Sequence, residues 1–384
     1  MKNKLNIGKV VEPNPRRLRD ARLARGLAIT ELSEMVGVSR QAISQFELGS
    51  STPSGSVLSK IYEVLDFPIA YFSKPINSEK SSSSTTFFRS LKSSSKKYRE
   101  MTLIRGKWLE EICDYLDGFI NFPKVNLPNL EENEDIIDDD TIEDIALNLR
   151  KYWGLGVGPI SNVILLNEKN GIIVSKILFN DVKTDACSFW RKKRPYIFLG
   201  SDKDSAVRSR FDAAHELAHL LLHTWVDNEQ IRDKTILDRL EKEANRFAAA
   251  FLLPEESFTK EIMSTSLDHF ITLKKRWKVS LSSMIYRCET LGILSERQVL
   301  YLRKQLSKFG YRKREPLDDE LLPEEPTVLT EAINLLIDKG VLFKNDLLDN
   351  IKLPQDELEQ LCNLPKGYFS RESTILDLNL KNNY

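Results

Sequence analysis

The strongest constraint in this chain lies between Arg208 and His223. The stretch reads Arg-Ser-Arg-Phe-Asp-Ala-Ala-His-Glu-Leu-Ala-His-Leu-Leu-Leu-His and holds three of the four histidines. It contains the pattern H-E-x-x-H. On a helix, His215 and His219 sit one turn apart on the same face and can grip one metal ion through neutral imidazoles. Glu216 is rotated about 100° away, so it does not share their direction. It is suited instead to meet a metal-bound water as a general base. Short patterns of this kind recur by chance, but the flanks argue against chance here. Ala213, Ala214, Leu217, Ala218 and Leu220 to Leu222 are helix formers fit for a buried helix. The fold must therefore bury this helix and still leave its histidine face open to an ion.

Zinc requires a third protein ligand and keeps one position for water. The candidates are His223, Glu241 and Glu243. One straight helix does not easily wrap three successive i+4 side chains around one ion, so His223 ranks low and reads as a helix-end residue. Residues 237–254 form a second clear helix with an apolar stripe of Leu237, Leu240, Ala244, Phe247, Ala248 and Phe251. With Glu241 at 0° and about 100° per residue, the stripe lies between about 240° and 340°. Glu241 borders it. Glu243, at about 200°, points further out and reads as a surface charge. Asn245, at about 40°, sits beside Glu241 and is suited to orient a ligand from behind.

The front of the chain has a different character. Zero net charge conceals 19 Lys+Arg against 10 Asp+Glu in residues 1–110, and 2 against 12 in residues 111–150. A basic front end suits a polyanionic partner. Residues 15–72 read as short helices. The second ends at Gly37, placed for a left-handed turn, and Ser39 caps a third that Gly49 ends. Ala42, Ile43 and Phe46 face inward, and Arg40, Gln41, Ser44 and Gln45 face outward. Two short helices joined by a glycine turn, with amide and guanidinium groups exposed on the second, form the helix-turn-helix pattern. Arg and Gln pair bidentately with guanine and adenine edges in the major groove. Through Leu32, Gly37-Val38-Ser39, Ile43-Ser44, Phe46-Glu47 and the exit from Gly49 to Pro53, the stretch resembles the lambda/434-repressor (Xre-like) helix-turn-helix family. The resemblance implies double-stranded DNA as partner, Ser39, Arg40, Gln41, Ser44 and Gln45 as contacts, and a homodimer on two half-sites.

Residues 78–97 have the Ser, Thr and Lys composition of a linker, interrupted by Phe87-Phe88-Arg89-Ser90. A helix is expected from Lys97 to about Phe119, with Leu103, Trp108, Ile112 and Leu116 on one stripe. Residues 131–140 read as a solvated acidic connector, followed by a helix from Asp144 to Trp153 and more helix over 160–167. Strands are expected at 171–175, 186–191 and 194–200, with Lys192-Lys193 at a turn. A small sheet beside the metal helix would offer an edge for an extended peptide.

H-E-x-x-H followed by E-x-x-A-N-x-F-A and Leu-Leu-Pro, with Arg210-Phe211 leading in and Leu220 to His223 trailing, resembles the ImmA/IrrE metallo-endopeptidases over residues 144–254. The resemblance implies a zincin-like fold, one zinc ion held by His215, His219 and Glu241, and Glu216 as catalytic base. It also implies a protein substrate, typically a repressor partnered with the peptidase. It supplies no transition-state stabiliser, for which Tyr196 and Arg210 are guesses. Residues 278–292 again have a helix-turn-helix flavour, with Ser280 as cap, and a plain packing subdomain is the alternative.

The expected fold is mainly α with a small α+β domain. It comprises a helix-turn-helix domain (1–75), a linker, helix and acidic connector (76–140), a zincin-like domain with a small sheet (141–265), a helical subdomain (266–315) and a C-terminal helical region (316–384) without an assigned role. Scattered cysteines (Cys113, Cys187, Cys288, Cys362), no secretory signal and no 18-residue apolar segment point to a cytoplasmic, nucleoid-associated protein. The expected function is a DNA-binding regulator carrying its own zinc endopeptidase. The rivals are a repressor whose zinc domain senses or scaffolds without turnover, and a toxin–antitoxin or phage-defence component.

Overall fold

In a computed structural model of the 384-residue chain, residues 13–75, 95–130, 137–179, 185–201, 205–226, 230 and 233–370 are described. Most of the linker, with Phe87 to Ser90, and the first half of the acidic run lie outside them. The architecture is mainly helical around one three-stranded sheet.

The N-terminal bundle comprises α1 (Pro15–Ala24), α2 (Ile29–Val36), α3 (Arg40–Leu48), α4 (Gly55–Leu65) and α5 (Ile69–Ser73). Local chemistry sets its joints. Gly37 closes α2 at φ 79°, a left-handed conformation that favours glycine. The Ser39 hydroxyl accepts from the Ala42 amide at 3.1 Å, starting α3. Leu18, Leu32, Val36, Ile43, Ile61 and Leu65 are buried together. Glu47 is buried too, and its carboxylate accepts from Arg22 Nη2 at 2.8 Å, so a charge on α3 locks the bundle from inside.

Helix α6 (Lys96–Asp117) is the partition of the molecule. Of its expected stripe Trp108, Ile112 and Leu116 are buried and Leu103 is only half-buried; the band widens to Ile104, Leu109 and Cys113 because the helix is covered on two sides. Trp108 packs against Phe67 and Tyr71 of the bundle, with ring centroids 5.7 and 6.0 Å away. Glu111 accepts from Arg17 at 2.9 Å and Lys74 at 2.8 Å.

The sheet has the order β1 (Ile173–Ile177), β3 (Arg194–Gly200), β2 (Ala186–Arg191), with β1 parallel and β2 antiparallel to β3. Side chains alternate between its faces. Cys187, Phe189, Tyr196 and Phe198 face α6 and a C-terminal cluster of α15 (Val328–Asp338), α16 (Lys344–Ile351) and α17 (Gln355–Leu361). Arg105 of α6 donates to Glu357 of α17 at 3.1 Å, and Ser175 of β1 donates to the Leu361 carbonyl at 2.9 Å. The N-terminal bundle, α6, the C-terminal helices and this sheet face thus share one core.

The other sheet face, with Val174, Ala186, Ile197 and Leu199, covers a second core. It is built from α7 (Asp139–Tyr152), α8 (Val163–Lys169), α9 (Ala206–Leu222), α10 (Lys234–Leu252), α11 (Glu255–Glu261), α12 (Leu267–Trp277), α13 (Leu281–Thr290) and α14 (Glu296–Lys308). Helix α7 begins five residues before its expected start. Asp138 caps it, accepting from the Thr141 amide at 2.8 Å, with Asp139 and Asp140 in the first turn. Carboxylates favour the positive end of a helix, so the tail of the acidic run is a helix start rather than a connector. In α13, Ser280 accepts from the Ser283 amide at 3.1 Å, but Met284, Ile285, Arg287 and Cys288 are buried. This helix packs the core, as the alternative of a plain packing subdomain expects.

The strap between α14 and α15 is stitched down by buried acids. Glu324 accepts from the Val163 and Ile164 amides at the start of α8 and from Arg210 of α9. In return, Glu168 of α8 accepts from the Thr327 and Val328 amides at the start of α15. All four cysteines are free and buried, and no described helix is long and apolar enough to cross a membrane.

Candidate metal centre

Helix α9 is buried along Ala213, Ala214, Leu217, Ala218 and Leu220 to Leu222. Its small residues let the sheet and α10 approach closely, which brings the next helix within reach of the histidines. His215, His219 and Glu241 offer ligand atoms within 4.8 Å of one another. The Nε2 atoms of His215 and His219 are 3.0 Å apart, and each is 3.5 Å from a Glu241 oxygen. Four tetrahedral ligands at about 2.1 Å from zinc stand about 3.4 Å from one another, so the three donors fit such an ion.

The electrostatics suit a cation. Burial opposes ionisation of Glu241, but its bonds to both histidines overcome that and hold the carboxyl well below the ordinary range. Burial holds His219 and His223 down to about 3, so both are neutral, as a metal-binding imidazole must be. For His215 burial also favours the neutral ring, but the bond to Glu241 and the charges of Glu241, Glu216 and Asp212 together outweigh it and raise the pKa.

Behind the cluster, His215 Nδ1 is 3.1 Å from Asn245 Oδ1, in the orienting position expected of Asn245. Glu216 is only 3% exposed, and its Oε2 accepts from Ser188 Oγ of β2 at 2.6 Å. Burial pushes this carboxyl up to about 7, against the pull of His215 and Ser188. Ser188 was not foreseen. The signal was there: a lone hydroxyl inside the apolar strand Ala186-Cys-Ser-Phe-Trp needs a partner once buried.

Three expectations need correction. Glu243 is not a surface charge. It is 6% exposed, and its Oε2 lies 2.9 Å from His223 Nε2, while His223 Nδ1 lies 2.8 Å from His219 Nδ1. Tyr196 sits on the sheet face away from the metal helix, stacked on Phe189 at 5.2 Å. Arg210 is buried against Glu324 and the Ile160 carbonyl, 2.7 Å away. Neither is placed to stabilise a transition state at the metal cluster.

On α3, Arg40, Gln41 and Gln45 are exposed, and Ser44 is half-buried. Ser39 is exposed with its hydroxyl engaged as the helix cap. Arg40 and Ser44 also line a cleft of about 720 Å³ shared with Lys96 and Lys97 of α6.

Residues 167–289 match the family model of the IrrE N-terminal-like domain (peptidase M78), a span that contains the whole cluster. The chain carries a metallopeptidase-like domain. Residues 18–72 match the helix-turn-helix family model, from within α1 to within α5. A comparison with curated proteins gave no match. The metallopeptidase-like domain, which includes the sheet, and the helix-turn-helix domain are thus held in one chain: one sheet face shares the core of the bundle and α6, and the other covers the metal helix.

Proposed function

We propose that the chain is a DNA-binding regulator with an intrinsic zinc endopeptidase that hydrolyses a protein partner, such as a repressor. The observation that carries this reading is the convergence of His215, His219 and Glu241 beside a buried Glu216. A zinc ion held by those three residues would supply Lewis acidity and a bound water of lowered pKa. The protein's own part begins with Ser188, whose hydroxyl donates to Glu216 Oε2 and fixes the carboxylate plane. That orientation leaves Oε1 to take a proton from water and return it to the departing amine. A carboxyl poised near 7 suits both directions of transfer. Asn245 holds the His215 ring, and the walls of α9 and the sheet limit competing water. The edge of β2, beside Glu216, suits an extended peptide.

The DNA arm of the proposal rests on Arg40, Gln41 and Gln45, exposed on a helix packed into a helix-turn-helix bundle. Binding as a homodimer to paired half-sites would follow. The test is co-expression with the products of neighbouring genes, wild type against Glu216→Gln, with fragments identified by mass spectrometry. A fragment made by wild type and missing with Glu216→Gln is expected, while zinc binding persists. Cleavage retained in the variant would remove Glu216 as base, and zinc binding without any cleavage would favour the sensor reading.

A further inference from the structure

The buried contacts behind His219 have a consequence for its proton. His219 Nδ1 and His223 Nδ1 are 2.8 Å apart, so one proton lies between them, belonging to one ring or the other. His223 Nε2 is 2.9 Å from Glu243 Oε2. All three side chains are nearly or fully buried, at 2% exposure for His219, 0% for His223 and 6% for Glu243.

An ionised carboxylate only accepts, so Glu243 requires an N–H at His223 Nε2. A neutral imidazole has a single N–H, and with it at Nε2 the His223 Nδ1 is a lone pair. The proton between the rings must then belong to His219 Nδ1. His219 Nε2 is left as a lone pair, aimed at His215 Nε2 and Glu241. In the opposite arrangement His219 carries its proton on Nε2, pointing into the cluster, and cannot donate a lone pair to an ion.

We propose that Glu243 and His223 are positioning residues that fix the tautomer of His219 through a carboxylate–imidazole–imidazole relay, and so hold its Nε2 ready for metal. This inference rests on the metal centre proposed above. His215 reaches the same end by a different device, the Asn245 amide oxygen at its Nδ1. The relay also explains a third histidine on α9 that is too far along the helix to share the ion. Partners behind a ligating histidine typically change metal affinity 10- to 100-fold when removed.

The first test needs no metal. With only four histidines in the chain, long-range proton–nitrogen correlation spectra of the histidine-labelled, metal-free, full-length protein report each ring's tautomer. Wild type should show His219 protonated at Nδ1, and Glu243→Ala should shift it toward Nε2. An Nε2-protonated His219 in wild type, or an unchanged tautomer in Glu243→Ala, overturns the proposal. The second test is zinc affinity by chelator competition. His223→Leu should bind zinc about 10- to 100-fold more weakly. His223→Asn, whose side-chain oxygen can accept from His219 Nδ1, should stay within a few-fold of wild type. Equal losses in the two variants would mean that His223 acts by packing alone, again overturning the proposal. If the Leu variant fails to fold, the wild-type tautomer and the Asn variant still decide. Failure of wild type to bind zinc would instead refute the proposed function, leaving the tautomer result to stand separately.

Discussion

Glu324 gives the sharpest test of how the metal helix is held. It sits in the strap after α14, 8% exposed, and its carboxylate serves three donors. The Val163 and Ile164 amides lie 2.8 and 3.2 Å away, and Arg210 of α9 forms an ion pair with it. Glu324→Ala would leave the Arg210 guanidinium, 2% exposed, without its counter-charge. Breaking a buried pair in this way costs about 3–5 kcal/mol. Losing the acceptor at a helix start adds about 1 kcal/mol. Arg210 keeps the Ile160 and Ser161 carbonyls, which offsets part of the loss, so about 4 kcal/mol is expected. The informative comparison is the double variant Arg210→Met with Glu324→Leu. Replacing both partners by apolar groups removes the stranded charge, and such swaps are often neutral or stabilising. The double variant should therefore be more stable than Glu324→Ala alone. Urea unfolding followed by tryptophan emission, at fixed pH and zinc concentration, measures both. A loss below about 1 kcal/mol in Glu324→Ala, or a double variant no better than the single, would show that the pair is not what anchors the strap to α9.

Other predictions follow from single positions. Gln41→Ala should weaken operator binding by about 1–3 kcal/mol at fixed salt, the usual value of a bidentate base contact, and an unchanged gel-shift affinity would remove α3 as the reading helix. Gly171→Ala should destabilise the chain by about 2 kcal/mol or more, because Gly171 has φ +85° and an added Cβ would lie 2.5 Å from the Lys124 carbonyl oxygen; a neutral thermal shift would contradict it. Burial pushes Glu168 up from 4.5 to about 7, against the Thr327 and Val328 amides. A carboxyl with a raised folded pKa contributes stability that is fully present below 4.5 and lost as pH rises through 7. Relative to Glu168→Gln, wild type should therefore lose up to about 3 kcal/mol between pH 5 and 8 in denaturant titrations, and parallel pH profiles would refute the assignment.

Where the sequence pattern was local, it was enough. The glycine at 37, the serine cap at 39 and the apolar set around Ile43 specify a helix-turn-helix from neighbouring residues alone. Strands β2 and β3 fell where alternation and the Lys192-Lys193 turn put them. Long-range partners were another matter. Nothing near Arg210 in sequence announces Glu324, more than a hundred residues later, and Arg210 was open to a catalytic reading for that reason. The C-terminal region had no legible role because its acids and leucines complete cores begun by other segments. Glu357 meets Arg105, and Leu361 backs Ser175.

Glu243 shows most clearly how a helical wheel can mislead. On α10 the apolar stripe runs between about 240° and 340°, with Glu241 at 0° and Glu243 at about 200°. The two acids therefore flank the stripe, one on each margin. Measured against a single packing surface, the 40° beyond the stripe looks like solvent. But the histidine row, from His215 to the helix cap His223, covers nine residues, about 12 Å at about 1.5 Å per step. Glu241 meets its first two rings, and Glu243 meets the third. A row that long engages both margins of the helix that lies against it. The clue available in sequence was His223 itself. A histidine too far along the helix to be a ligand, yet surrounded by leucines, must be buried, and a buried imidazole needs a partner on the next helix. Had that partner been sought, Glu243 was the acid within reach that the metal did not need.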